Sequence, residues 1–119
     1  MIAVGEHLLG SVHDREIMMS TGFAGGIGLS FGGNCGVFSA GVMLIGALYG
    51  RTSAERDDEA CQDLVAEYRK KFEERFETVT CSELREENYG SGRKETCSVL
   101  VERASRILLD VIRQYESSN

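Results

Sequence analysis

The residues of this chain whose types could do chemistry are its four cysteines, Cys35, Cys61, Cys81 and Cys97. Three of them follow a residue type that caps helices. Asn34 precedes Cys35, Thr80 precedes Cys81 and Thr96 precedes Cys97, each where the pattern predicts a helix start. Thr80-Cys81-Ser82-Glu83 also fits a capping box. A cysteine at the first helical position faces unpaired backbone N–H groups and the positive end of the helix dipole. Both favour thiolate over thiol and lower the pKa. Thiolate is the form that attacks disulfides, reacts with oxidants and binds soft metals.

Cys35 is expected to be the most activated nucleophile, because Gly33 and Gly36 beside it leave room for a partner's backbone or a substrate. Cys81 and Cys97 are the candidates for a resolving thiol or for further ligands. Cys61 follows Ala60 inside a helix and reads as a small buried hydrophobe. There is no Cys-x-x-Cys, so neither a zinc knuckle nor a ferredoxin-type run is supported.

The elements that must position these thiols follow from apolar spacing. Residues 2–9 and a segment from about Asp14 into a glycine loop read as helical. Residues 36–49 are apolar and rich in small side chains, and predict a central helix buried on every side, with Gly36, Ala40, Gly41, Gly46 and Ala47 admitting close neighbours. Thr52-Ser53-Ala54-Glu55 offers a capping box for a long charged helix running to about Glu77. Its stripe is Cys61, Leu64, Val65, Tyr68, Phe72 and Phe76, at steps of three and four. A short helix from Cys81 to about Glu87 precedes a loop through Gly90 and Gly92. The last helix carries Cys97, Leu100, Val101, Ala104, Ile107, Leu108, Val111, Ile112 and Tyr115 on one face. No stretch alternates long enough to be a strand. The chain reads as one all-α domain over residues 1–119, a small bundle of four to five helices in which a Gly-rich loop leads into the buried central helix.

Composition narrows the function. The 119 residues are 42% hydrophobic and 27% charged, which argues against disorder and suits a single compact domain. Net charge is −6 with no dominant Lys/Arg cluster, so no nucleic acid is expected as a partner. Residues 17–50 hold no charge, longer than the ~20 residues a membrane span needs. Glycines and Asn34 break that stretch, so no stable membrane span is expected. Residues 1–10 contain Glu6 and no basic n-region, so they do not read as a secretory signal; a cytoplasmic location with reduced cysteines follows as the expectation. Gly26-Ile27-Gly28 opens no dinucleotide fingerprint, because Phe31 fills its third glycine position and no strand precedes it. His7 and His13 read as ordinary histidines, and Asp57-Asp58-Glu59 and Glu73-Glu74 as a solvated helix face.

In its cysteine order the sequence resembles a family of small helical proteins linked to redox chemistry and named for the pattern C_GCAxxG_C_C. The resemblance rests on Gly22-Phe23-Ala24-Gly25-Gly26-Ile27-Gly28, on Cys35-Gly36-Val37-Phe38-Ser39-Ala40, on the small apolar helix ending at Gly50, and on Cys81 and Cys97. It implies a compact helical protein whose motif cysteines act in redox chemistry or hold a thiolate-bound metal or iron–sulfur centre, here through Cys35, Cys81 and Cys97. It also implies kinship with the N-terminal part of split-Soret cytochromes. Val37 stands where the motif has Ala, and Ala40 where it has its second Gly. The first motif cysteine has no counterpart: Met1-Ile2-Ala3-Val4-Gly5-Glu6 looks like the middle of its helix, either truncated upstream or lacking that ligand.

Two functional readings follow. The first is a thiol-based redox or thiolate metal-binding protein, an oxidoreductase if catalytic, using Cys35, Cys81 and Cys97 with a redox partner protein. The second is a non-catalytic helical interaction or homo-oligomerisation module with structural cysteines, its Gly/Ala-rich helix serving as the packing surface.

Overall fold

The computed structural model of the chain describes residues 2–87 and 97–118. Among these residues it is all-α, with six α-helices rather than four or five. They are α1 (Ile2–Leu9), α2 (Asp14–Ser20), α3 (Gly36–Tyr49), α4 (Glu59–Phe76), α5 (Cys81–Glu87) and α6 (Cys97–Ser118), and a 3₁₀ turn, Thr21–Phe23, extends α2. No helix is long and apolar enough to cross a membrane among the described residues.

α3, α4 and α6 pack against one another and form the core. Each contributes the stripe its spacing predicts: Leu64, Tyr68, Phe72 and Phe76 from α4, and Leu100, Ala104, Leu108, Val111 and Ile112 from α6. Between them the rings of Phe38 and Tyr68 stack with centroids 5.2 Å apart and planes 12° from parallel, and Phe72 meets Phe38 edge-on at 5.2 Å. Such ring pairs add about 0.5–1.5 kcal/mol each beyond the area they bury.

α3 is buried on one side, not all round. Phe38, Gly41, Leu44 and Ile45 face the core, whereas Ala47 is exposed and the remaining side chains are half-buried. A short bundle has too few helices to enclose a central one completely. Gly41 makes room for a side chain of α4: a Cβ there would lie 2.5 Å from the Tyr68 hydroxyl and 2.6 Å from its ring.

The long helix starts later than its sequence pattern suggests. Ser53 turns on itself, its hydroxyl accepting from Glu55 N–H at 3.3 Å and its carbonyl from Arg56 N–H at 3.1 Å. Arg51 then donates to the carbonyls of Ala54 (3.2 Å) and Arg56 (2.8 Å) and pairs with Asp58 at 3.7 Å. These local bonds satisfy residues 51–58 as a turn, and a short polar side chain that can bond its own backbone competes with helix in this way. α4 therefore begins only at Glu59, whose N–H donates to Asp57 Oδ1 at 2.8 Å. Asp57 and Asp58 belong to that turn rather than to the solvated helix face. At the other end Glu77 takes a left-handed conformation (φ 72°) and stops the helix.

Two glycines of α3 separate the demands of packing from those of helix propensity. A Cβ at Gly46 meets nothing within 4 Å. Gly46→Ala is expected to raise unfolding free energy by about 0.5–1 kcal/mol. Gly41→Ala must displace a buried, stacked ring and is expected to lower it by about 1–3 kcal/mol. Urea unfolding followed by circular dichroism checks both signs.

Candidate functional site

One antiparallel β-bridge, Asn34 with Thr80, ties the start of α3 to the start of α5. Cys35 N–H donates to the Val79 carbonyl at 2.6 Å, and Cys81 N–H to the Gly33 carbonyl at 2.9 Å. Side chains alternate across such a pairing, so the residues directly after the bridged pair lie on one face. Those residues are Cys35 and Cys81. Both line a cavity of about 500 Å³, and Cys97, at the start of α6, lines it too. Three thiols separated by 46 and 16 positions thus open on one space. Cys61 does not; it lies on α4, half-buried against the core.

The helix starts differ from the sequence pattern in one register. Cys35 is itself the N-cap of α3 and Gly36 its first helical residue, because Asn34 is held in the bridge. Thr80 is likewise in the bridge, and its carbonyl accepts from Leu84 N–H at 3.1 Å as α5 begins. Thr96, proposed to cap α6, lies outside the described residues. Cys97 is exposed rather than part of the buried stripe, as is Val101 one turn on; both line the cavity.

The glycine-rich segment closes the cavity from the other side. Residues 25–29 all have φ between +59° and +71°, and Phe31 has +62°. A left-handed run costs roughly 1–2 kcal/mol for each residue with a side chain, so Gly25, Gly26 and Gly28 relieve most of it. The run brings Gly26 so close to α5 that a Cβ would stand 2.5 Å from Cys81 Cβ. Gly33 and Gly36 serve the same packing. A Cβ on Gly33 would meet the Gly26 carbonyl, and one on Gly36 the Phe23 carbonyl, each at 2.9 Å. The room these glycines leave is therefore filled by the chain's own loop, not by a partner's backbone, although Gly36 does line the cavity. Ser82 N–H donates to the Phe31 carbonyl at 2.7 Å, and the Arg85 guanidinium sits 4.5 Å from the Phe31 ring.

Burial works against the helix ends at two of the thiols. Burial pushes the Cys35 thiol up from its ordinary value; the amides of Phe38 and Val37 pull it back without closing a capping hydrogen bond, and ionised Cys81 or Cys97 would push it further up. Desolvation therefore outweighs the helix end at Cys35. Burial raises Cys81 as well, opposed by the nearby Arg85 charge. Each of the three sulfurs lies within electrostatic range of the other two. Yet no three His, Cys, Asp or Glu side chains among the described residues are grouped to hold a metal ion.

Two contributors escape a motif search. Arg85 stands four residues after Cys81, the spacing that places two side chains on one helix face. That signal is readable but common. Tyr68 reads as a core residue, and only its packing shows that it also reaches the cavity wall.

Against known families, residues 1–111 match the model described as "Putative redox-active protein (C_GCAxxG_C_C)". The chain belongs to this family. No curated protein and no solved structure matches it.

Two outcomes test this geometry. Ile27 is exposed yet left-handed, so Ile27→Gly is expected to stabilise the fold by about 1 kcal/mol in chemical denaturation. The raised pKa of Cys35 means the folded state favours the neutral thiol. That contribution is complete below the ordinary thiol value of 9.0 and is lost as pH climbs towards the folded value. Unfolding free energy should fall as pH rises above 9.0 in reduced protein, and fall less steeply in Cys35→Ala.

Proposed function

We propose that this protein is a thiol–disulfide redox protein whose working groups are Cys97, Cys81 and Cys35. The observation that supports this reading is the shared cavity: three free thiols from three helix starts, mutually within electrostatic range, on one wall system. Exposure assigns the first step to Cys97. Its thiolate attacks one sulfur of a substrate disulfide, forming a mixed disulfide and expelling the other sulfur as a thiolate. Cys81, with Arg85 favouring its ionised form, then attacks the Cys97 sulfur and expels the second substrate thiolate. Two electrons pass to the substrate, the two protein thiol protons end on the two released thiols, and a Cys81–Cys97 disulfide remains. Buried Cys35 is the alternative resolving thiol, sharing the Cys81 face of the bridge. An external dithiol of matching potential resets the pair by the reverse exchange.

The test is oxidation of fully reduced protein by oxidised glutathione, read by intact mass and peptide mapping. A disulfide joining two of the three cavity cysteines, with loss of two hydrogens, is expected. Cys81→Ser should accumulate the mixed disulfide on Cys97, Cys97→Ser should slow oxidation at least tenfold, and Cys61→Ser should change neither. Independent modification of the three thiols with no internal disulfide would overturn the reading.

A further inference from the structure

The cavity has features that exchange between thiols does not require. Its volume of about 500 Å³ is that of a small-molecule site. Phe23, Val37, Leu100 and Leu108 give it an apolar wall. Tyr68, with only 1% of its surface exposed, lines it, and its hydroxyl makes no hydrogen bond among the described residues. That hydroxyl is not sealed off either, since no buried side-chain N or O atom lacks a partner among the described residues. It therefore opens on the cavity, where a polar group of an otherwise buried residue is left for a ligand to satisfy. Arg85 is the one charged side chain on the wall among the described residues; it stacks on Phe31 and makes no ion pair among them. No carboxylate is on that wall among the residues whose side chains are described, which exclude residues 86–96.

Resting on the thiol-exchange reading, we infer that the substrate is a small disulfide with an apolar body, an anionic group that pairs with Arg85, and a hydrogen-bond acceptor that meets the Tyr68 hydroxyl. A protein disulfide reaches Cys97 at the surface but leaves both of those groups unused. Anion preference has to come from the cavity, because the molecule as a whole repels anions. The electron balance is that of the exchange above: the bound disulfide is reduced to two thiols and the protein pair is oxidised.

The experiment compares three probes by stopped flow on the full chain. They are 5,5′-dithiobis(2-nitrobenzoate), aromatic and anionic; 4,4′-dithiodipyridine, aromatic and neutral; and cystamine, cationic. Each rate is divided by that of the same probe with 2-mercaptoethanol, which removes intrinsic reactivity. The normalised order should be anionic, then neutral, then cationic, with at least tenfold between the extremes and saturation for the first. Arg85→Ala should cut the anionic-to-neutral ratio about tenfold and Arg85→Lys should restore most of it. Tyr68→Phe should raise the half-saturating concentration about fivefold. A flat or reversed order, or a ratio that Arg85→Ala leaves unmoved, overturns the substrate class while internal disulfide formation still stands. Absence of an internal disulfide with every probe instead removes the exchange reading on which the class depends.

Discussion

Two backbone hydrogen bonds across one β-bridge fix where the cavity's first two thiols stand. Cys35 N–H to the Val79 carbonyl and Cys81 N–H to the Gly33 carbonyl hold residues 33–35 against residues 79–81. The pairing aligns the starts of α3 and α5 and, through pleat alternation, sets both cysteines on one face. The core on either side depends on the same place, since Cys35, Phe38, Val79 and Leu84 are all buried around it. The glycine loop is fitted to it from outside, with Gly26 pressed on Cys81 and Phe31 receiving the Ser82 amide. A left-handed run is tolerated there because its hydrogen bonds, such as Gly28 N–H to the Gly22 carbonyl at 2.8 Å, replace those a right-handed helix would make.

Bringing sulfurs to helix starts has opposite effects on their chemistry, according to depth. Unpaired amides favour thiolate, but only where water or a counter-charge shares the work of solvating it. Burial raises both Cys35 and Cys81, and at Cys81 the Arg85 charge opposes it; Cys97 is exposed. One cavity therefore presents an accessible sulfur at its edge and progressively protected ones within. Depth in the fold, which position along a helix does not reveal, is what separates the three sulfurs.

The chain belongs to the C_GCAxxG_C_C family, matched over residues 1–111, and is all-α among the described residues. Val37 adds apolar surface to the cavity wall, and Ala40 lies on the same wall one residue before the glycine that accommodates Tyr68.

Much was legible in the one-dimensional pattern. The stripes of α4 and α6, the cap-then-cysteine pairs and the apolar run of α3 give the class, the helix order and the candidate thiols, because each depends on neighbours within one or two turns. The helix start at Glu59 was not legible, since it turns on Arg51 binding two carbonyls rather than on the capping box. Nor were the exposure of Cys97, the suppression of Cys35 and the polar tip of Tyr68. Burial, and the pKa it sets, is a property of what other segments leave uncovered. The residues alone supplied sulfur atoms and the helices to carry them; their meeting needed a bridge between positions 34 and 80, whose energy belongs to neither segment until both are brought together.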